Sequence, residues 1–205
     1  MTTKEKIRDK ALEMFNERGI EYVGLRELAA LLQMRVGNIT YYFPTKDDLV
    51  FELARELAKK NNTTIVAPED LTMLRFLEMM HQVFLNHVTF RCLLLSFVHV
   101  MEQNKIVRAS YQKTQGVRTA TIKTNLETLS AAGYLQLNGS GDLEYLVSAL
   151  SLINRFWISE AAVSFREKST EEQMGHYLNM IGKLLEPYAS ATGKRHIKQF
   201  IEGLS

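Results

Sequence analysis

The sequence predicts an all-α protein, and three observations carry that reading. Between Leu25 and Leu49 two short segments with apolar residues at helical spacing are joined by a tight turn. Beyond Pro68 only one further proline, Pro187, interrupts a chain that otherwise favours helix. The stops in that stretch, Gly133 after Ala131-Ala132 and the run Asn138-Gly139-Ser140-Gly141, cut it into helix-length pieces. About nine helices are expected, four at the N-terminal end and five after it.

Taken in order, Thr2 to Glu5 offers a capping box, and Ile7, Ala11, Leu12 and Phe15 form the inner stripe of a first helix that Gly19 ends. Leu25, Leu28, Ala29 and Leu32 line one side of the second. After the Gln33-Met34 turn, Met34, Ile39 and Phe43 repeat the inward pattern, which leaves Gly37, Asn38 and Tyr41 on the opposite face with Val36, Thr40 and Tyr42 on its flanks. Glycine weakens a helix, so a glycine two residues into a short one makes sense where the backbone must approach another surface closely. A DNA backbone or base edge is such a surface.

Pro44 ends the third helix and Thr45 to Asp48 opens a fourth, over 46–60, with a second capping pattern and with Leu49, Val50, Leu53 and Leu57 inward. This helix reads as the only covalent path from the first segment to the rest, so any signal between them is expected to use it. Asn61 to Pro68 is a polar connection. Further helices are expected near 69–88, 90–103, 105–132, 142–166 and 170–189. Residues 190–205 form a tail, either disordered or a short docking helix with Ile197, Phe200, Ile201 and Leu204 on one stripe.

Composition narrows the function. With 205 residues, 46% hydrophobic and 23% charged, the chain is ordinary for a soluble globular protein of one or two domains. Its longest nearly unbroken apolar run, Cys92 to Met101, is about half of what a membrane-spanning helix needs, and the N-terminus is charged; a cytoplasmic protein without a membrane partner is expected. A single cysteine, Cys92 within CLLLSF, reads as a core residue. The net charge is +2, and residues 1–60 carry 11 Lys or Arg against 10 Asp or Glu, so affinity for DNA must come from placement, with amides, hydroxyls and helix N-termini beside a few cations. The five histidines are scattered, and no phosphate loop, nucleophile elbow or thiol-histidine pair is present in the sequence; neither metal, cofactor nor enzymatic activity is expected.

Leu28-Ala29, the turn, Gly37-Asn38-Ile39, the pair Tyr41-Tyr42, Phe43 and Lys46 together resemble, in order and spacing, the DNA-binding domain of the TetR family of bacterial transcriptional regulators. The resemblance implies a helix-turn-helix domain over 1–46, a connecting helix over 47–60 and an effector-binding and dimerisation domain over 61–189, followed by the tail at 190–205. It implies that the helix near 35–43 enters the major groove, that Gly37 and its neighbours approach bases, and that the tyrosine pair and Lys46 grip phosphates. The DNA-binding candidates are accordingly Arg35, Val36, Gly37, Asn38, Thr40, Tyr41, Tyr42 and Lys46. Arg35 stands where the family usually has Ser or Thr, and its guanidinium suits a phosphate or a guanine edge. Thr40 is expected to contact a thymine methyl or a phosphate. Gln33 replaces a glycine common in the turn, and Leu25 a threonine that often caps the second helix.

Two segments carry wide apolar faces, Leu146, Val147, Leu150, Ile153 and Trp157 on one, Tyr177, Leu178, Ile181, Leu184 and Leu185 on the other. Such faces either fill the chain's own core or meet a second partner. The resemblance implies a two-fold homodimer joined in a four-helix bundle and bound to a palindromic operator in double-stranded DNA, with Leu146, Leu150, Ile153, Tyr177, Ile181 and Leu184 as interface candidates. It also implies a pocket for a small apolar or aromatic effector. Phe76, Met79, Met80, Phe84, Phe90, Phe97, Met101 and Phe156 are possible lining, and His99, Asn154, Arg155 and Trp157 are the binding candidates. The reading is a dimeric, ligand-responsive repressor. Two others stay open: a DNA binder of the same fold without a sensor, and a helical small-molecule or lipid carrier whose helix-turn-helix pattern is accidental.

Overall fold

The computed structural model describes residues 1–204, which hold eleven α-helices, two short 3-10 turns and no strand beyond an isolated bridge between Leu135 and Ala189. The α-helices are α1 (Thr3–Arg18), α2 (Leu25–Leu31), α3 (Val36–Tyr42), α4 (Lys46–Asn62), α5 (Met73–Thr89), α6 (Arg91–Leu95), α7 (Phe97–Gln103), α8 (Lys105–Ala131), α9 (Ser140–Ser164), α10 (Thr170–Leu185) and α11 (Ala191–Glu202). The count exceeds the expected nine for two reasons. The segment 90–103 breaks at Ser96, whose backbone (φ −93°, ψ 19°) ends α6 and starts α7, and the tail forms α11.

Two compact units arise, one from residues 1–60 with 89–113, the other from 61–88 with 114 onward. The chain therefore passes between these two units three times, the first time at the end of α4.

In the first unit the Thr2–Glu5 capping box forms reciprocally: the Thr2 N–H donates to Glu5 Oε2 at 2.6 Å and the Glu5 N–H to Thr2 Oγ1 at 3.2 Å. Gly19, at φ 92°, ends α1 in a conformation that a side chain would strain. Ile7, Ala11 and Phe15 are buried as the periodicity requires, with Met14 taking the inner position in place of the half-exposed Leu12. Ile39, Phe43, Leu49 and Leu53 complete the core, none more than 2% exposed. α1 packs on α2 and α6, and α2 packs on α3. The junction between α5 and α6 is tied to α1 by one amide. Asn16 Nδ2 donates to the Thr89 carbonyl at 2.9 Å, and its Oδ1 accepts the Cys92 N–H at 3.0 Å. Burial pushes the Cys92 thiol up to about 12, which leaves it an inert core residue.

In the second unit α9 packs on α10 and α10 on α11. Phe84 and Trp157 stack face to face, centroids 4.5 Å apart and 5° from parallel, and the Trp157 Nε1–H donates to His87 Nδ1 at 3.1 Å. Gly193 explains how α11 docks. A β-carbon there would lie 2.4 Å from the Tyr134 carbonyl oxygen, so only glycine lets the start of α11 come this close. α9 is long and apolar enough, by length and composition alone, to cross a membrane, a property the run at Cys92–Met101 did not reveal; 33% of its most apolar stretch is buried.

Candidate nucleic-acid interface

The turn between α2 and α3 is held by backbone bonds from the Leu32, Gln33 and Met34 N–H groups to the carbonyls of Leu28, Ala30 and Ala29. Closing it places Gln33 at φ 54°, in the left-handed region that glycine enters most readily. α3 then begins behind Arg35, whose extended backbone (φ −71°, ψ 143°) caps the helix without a side-chain bond, so its exposed guanidinium is available to a partner. α2 begins behind Gly24 with Leu25 as its first residue, and it too lacks a side-chain cap.

Ile39 and Phe43, 0% and 2% exposed, pin one side of α3 to the unit's core. The opposite side is therefore turned out: Arg35, Val36, Gly37 and Asn38 are exposed, Tyr41 is 79% exposed, and Tyr42 sets its ring edge-on to that of Tyr41 at 5.0 Å. Gly37 is not in a left-handed conformation, and a β-carbon built on it would meet nothing within 4 Å. Thr40 is half-exposed, its hydroxyl donating to the Gly37 carbonyl at 3.4 Å.

At the start of α4 a second reciprocal box joins the Thr45 N–H to Asp48 Oδ2 (3.0 Å) and the Asp48 N–H to Thr45 Oγ1 (3.2 Å). Lys46 has an additional role that the sequence did not disclose. Its Nζ donates to the carbonyls of Ile20 at 2.9 Å and Glu21 at 3.4 Å, so the half-buried ammonium also staples the loop between α1 and α2.

The remaining candidates are less unified. His99 lies in the first unit, exposed and 3.8 Å from Glu21 Oε1, whereas Asn154, Arg155 and Trp157 lie in the second. Trp157, 2% exposed, has its N–H engaged by His87 and its ring by Phe84, which makes it a core residue with no polar group left for a ligand. Arg155 is half-buried beside the ring of Phe156. Asn154 Nδ2 donates to the Leu150 carbonyl at 2.9 Å while its buried Oδ1 has no partner, and the buried Tyr177 hydroxyl has none either. Phe76, Met79, Met80, Phe84 and Phe90 are buried. An open depression of about 420 Å³ between the ends of α8 and α9 is bordered by Glu127, Ser130 and Leu143 and by none of the effector candidates.

Of the six interface candidates, Leu146, Leu150, Tyr177 and Ile181 are at most 4% exposed and build the unit's own core, so they offer no surface; Ile153 and Leu184 are half-exposed. The periodicity located the apolar stripes correctly but favoured the face turned inward. The large apolar residues these two helices leave exposed are instead Tyr145, Leu152 and Val163 on α9 and Met180 on α10, 38–82% exposed. The spacing of seven and eleven residues along α9 was the signal that could have found them.

Comparison with known proteins agrees with this geometry. Residues 7–53 match the family model described as bacterial regulatory proteins of the tetR family, and residues 56–197 match a model described as a bacterial transcriptional repressor. The probable HTH-type transcriptional regulator YttP of Bacillus subtilis is 32% identical over 65 residues, 32% of this chain and 31% of that protein, so the aligned stretch spans about a third of the relative's length. The fold is similar to that of a TetR-family transcriptional regulator from Marinobacter aquaeolei (TM-score 0.89, 21% identity, 100% of this chain and 99% of that one). It is also similar to SmeT, the repressor of the Stenotrophomonas maltophilia multidrug efflux pump SmeDEF (TM-score 0.66, 15% identity, 93% and 92%). The two matched models together take in both the reading helices and most of the chain beyond them, and the chain belongs to the TetR family of DNA-binding transcriptional regulators.

Proposed function

We propose that this chain is a cytoplasmic homodimeric repressor whose two α3 helices read a palindromic operator and whose release is controlled by a small molecule bound in the second unit. The observation that carries the DNA-reading part is Gly37. Neither the backbone conformation nor the packing of the chain requires glycine there, yet it sits at the centre of an exposed face bearing Arg35, Asn38 and Tyr41. A glycine at that place lets a duplex approach the helix backbone, while Arg35 and Asn38 reach base edges and Tyr41, Tyr42 and Lys46 hold phosphates.

The apolar residues left exposed on α9 and α10 support a two-fold partner, and SmeT is a repressor. The effector part rests on the unpartnered buried Asn154 Oδ1 and Tyr177 hydroxyl, because a buried polar atom without a partner costs about 1–3 kcal/mol and a ligand with a hydrogen-bond donor relieves that cost.

Selection of bound duplexes from a random pool tests the reading directly. The natural chain is expected to enrich a palindrome with half-sites about one helical turn apart. Tyr41→Ala is expected to bind every enriched sequence more weakly, whereas Asn38→Ala changes which sequences are enriched. Repeating the selection with aromatic small molecules present examines release. A pool with no enrichment, or binding erased alike for all sequences by moderate salt, would remove the proposal.

A further inference from the structure

Asn104 is 3% exposed, one of the few buried polar side chains in the protein, and both ends of its amide are engaged. Its Oδ1 accepts the Val107 N–H at 2.9 Å, three residues on, which caps the first turn of α8. Its Nδ2 donates to the backbone carbonyl of Asp47 at 3.0 Å, in the first turn of α4 and 57 residues away in sequence. A buried amide satisfied on both sides holds two elements at one separation, because parting them leaves a donor or a carbonyl without a partner.

The residue next to Asp47 is Lys46, and it is held from another side. Its ammonium binds the carbonyls of Ile20 and Glu21 in the loop between α1 and α2. Glu21 is in turn met by Ser96, whose Oγ donates to Oε2 at 3.2 Å, and by His99, 3.8 Å from Oε1. The start of α4, the turn that directly follows the recognition helix, is thus fixed at two consecutive residues. One tie comes from the start of α8, the other from a loop that α6 and α7 also touch. All these groups belong to the first unit, and α8 continues unbroken beyond it to Ala131.

We propose that Asn104 is a positioning residue for DNA reading: by tying the capped start of α8 to the Asp47 carbonyl it sets where the first turn of α4, and Lys46 with it, stands beside α3. Movement of α8 then reaches the reading face through this amide without having to bend α4. The proposal rests on the reading of α3 as the recognition helix, and the experiment separates the two.

The deciding variant is Asn104→Ser. Serine caps a helix about as well as asparagine, so α8 keeps its first turn, but the shorter side chain cannot reach Asp47. Asn104→Ala loses both bonds and serves as the comparison. Three readouts are taken on the full chain: thermal unfolding, amide hydrogen exchange along α4 and α8, and affinity for a duplex selected from a random pool. Asn104→Ser is expected to melt within a few degrees of the natural chain. The amides of the first two turns of α4 should exchange about fivefold faster, those of α8 should stay unchanged, and duplex affinity should fall by a similar factor. Asn104→Ala should in addition accelerate exchange at the start of α8. Unchanged exchange in α4 together with full affinity in Asn104→Ser overturns the proposal. So does an equal acceleration throughout α4 and α8, the mark of a general loss of stability. Should the natural chain select no duplex at all, the recognition reading fails while the exchange pattern still decides whether Asn104 positions α4.

Discussion

A glycine inside a helix costs about 1 kcal/mol relative to alanine, and Gly37 offsets that cost by nothing within its own chain, since the space beside it is open. Gly37→Ala is therefore expected to act with opposite signs on two measurements. Thermal unfolding should show a gain of about 0.5–1 kcal/mol, while duplex affinity drops about tenfold as the added methyl holds the DNA off. A loss of stability, or undiminished affinity, would show that the glycine serves the fold instead. Gln33 presents the reverse case. It occupies φ 54°, where a side chain costs about 1 kcal/mol, so Gln33→Gly should raise the midpoint of chemical unfolding without altering DNA affinity. The exposure of Arg35, Asn38 and Tyr41 was legible from their phase relative to Ile39 and Phe43, because helical geometry fixes which side faces out once two anchors are known. The second role of Lys46 was not legible. The carbonyls it binds lie 25 and 26 residues upstream, and backbone carbonyls carry no sequence signature.

At the scale of elements, local chemistry was readable and tertiary breaks were not. The capping boxes at Thr2–Glu5 and Thr45–Asp48 each join residues three apart, so the sequence alone specifies them. Ser96 divides α6 from α7 without glycine or proline, and only the packing around it shows the break. The contact between α5 and α9 was equally hidden: His87 and Trp157 are 70 residues apart, yet the indole N–H requires an unprotonated His87 Nδ1. Burial, aided by the Arg118 cation, lowers the His87 pKa from 6.5 to about 4. The unfolded chain takes up this proton near pH 6.5 and the folded chain only near 4. Stability is thus intact above pH 6.5 and falls as the pH drops towards 4, by up to roughly 3 kcal/mol from this group. His87→Gln keeps an acceptor for the indole but cannot titrate. Unfolding midpoints measured from pH 7 to 4 should therefore fall less steeply in the variant, and parallel curves for the two chains would refute the assignment.

For the whole molecule, the question the sequence left open was whether the apolar faces of α9 and α10 fill the chain's own core or meet the partner of the proposed dimer. Amphipathic periodicity reports a stripe's direction but not whether its neighbour belongs to the same chain, and here the strongest stripe fills the second unit while a weaker one stays exposed. Tyr145, Leu152 and Val163 recur at seven and eleven residues, so they share one face of α9, and a monomer gains nothing by exposing them together. Charging that face separates assembly from folding. In Leu152→Glu with Val163→Glu both new carboxylates point to solvent in the single chain, so its thermal unfolding should change little, whereas bringing two such faces together would bury four like charges. Sedimentation is expected to report a monomer in place of a dimer. Duplex affinity should then fall by about 10²-fold or more, because two tethered reading heads bind a palindrome far better than one. Leu150→Glu supplies the contrast, since it forces a carboxylate into the unit's own core and should unfold the chain. A double variant that still sediments as a dimer would move the interface off α9 altogether.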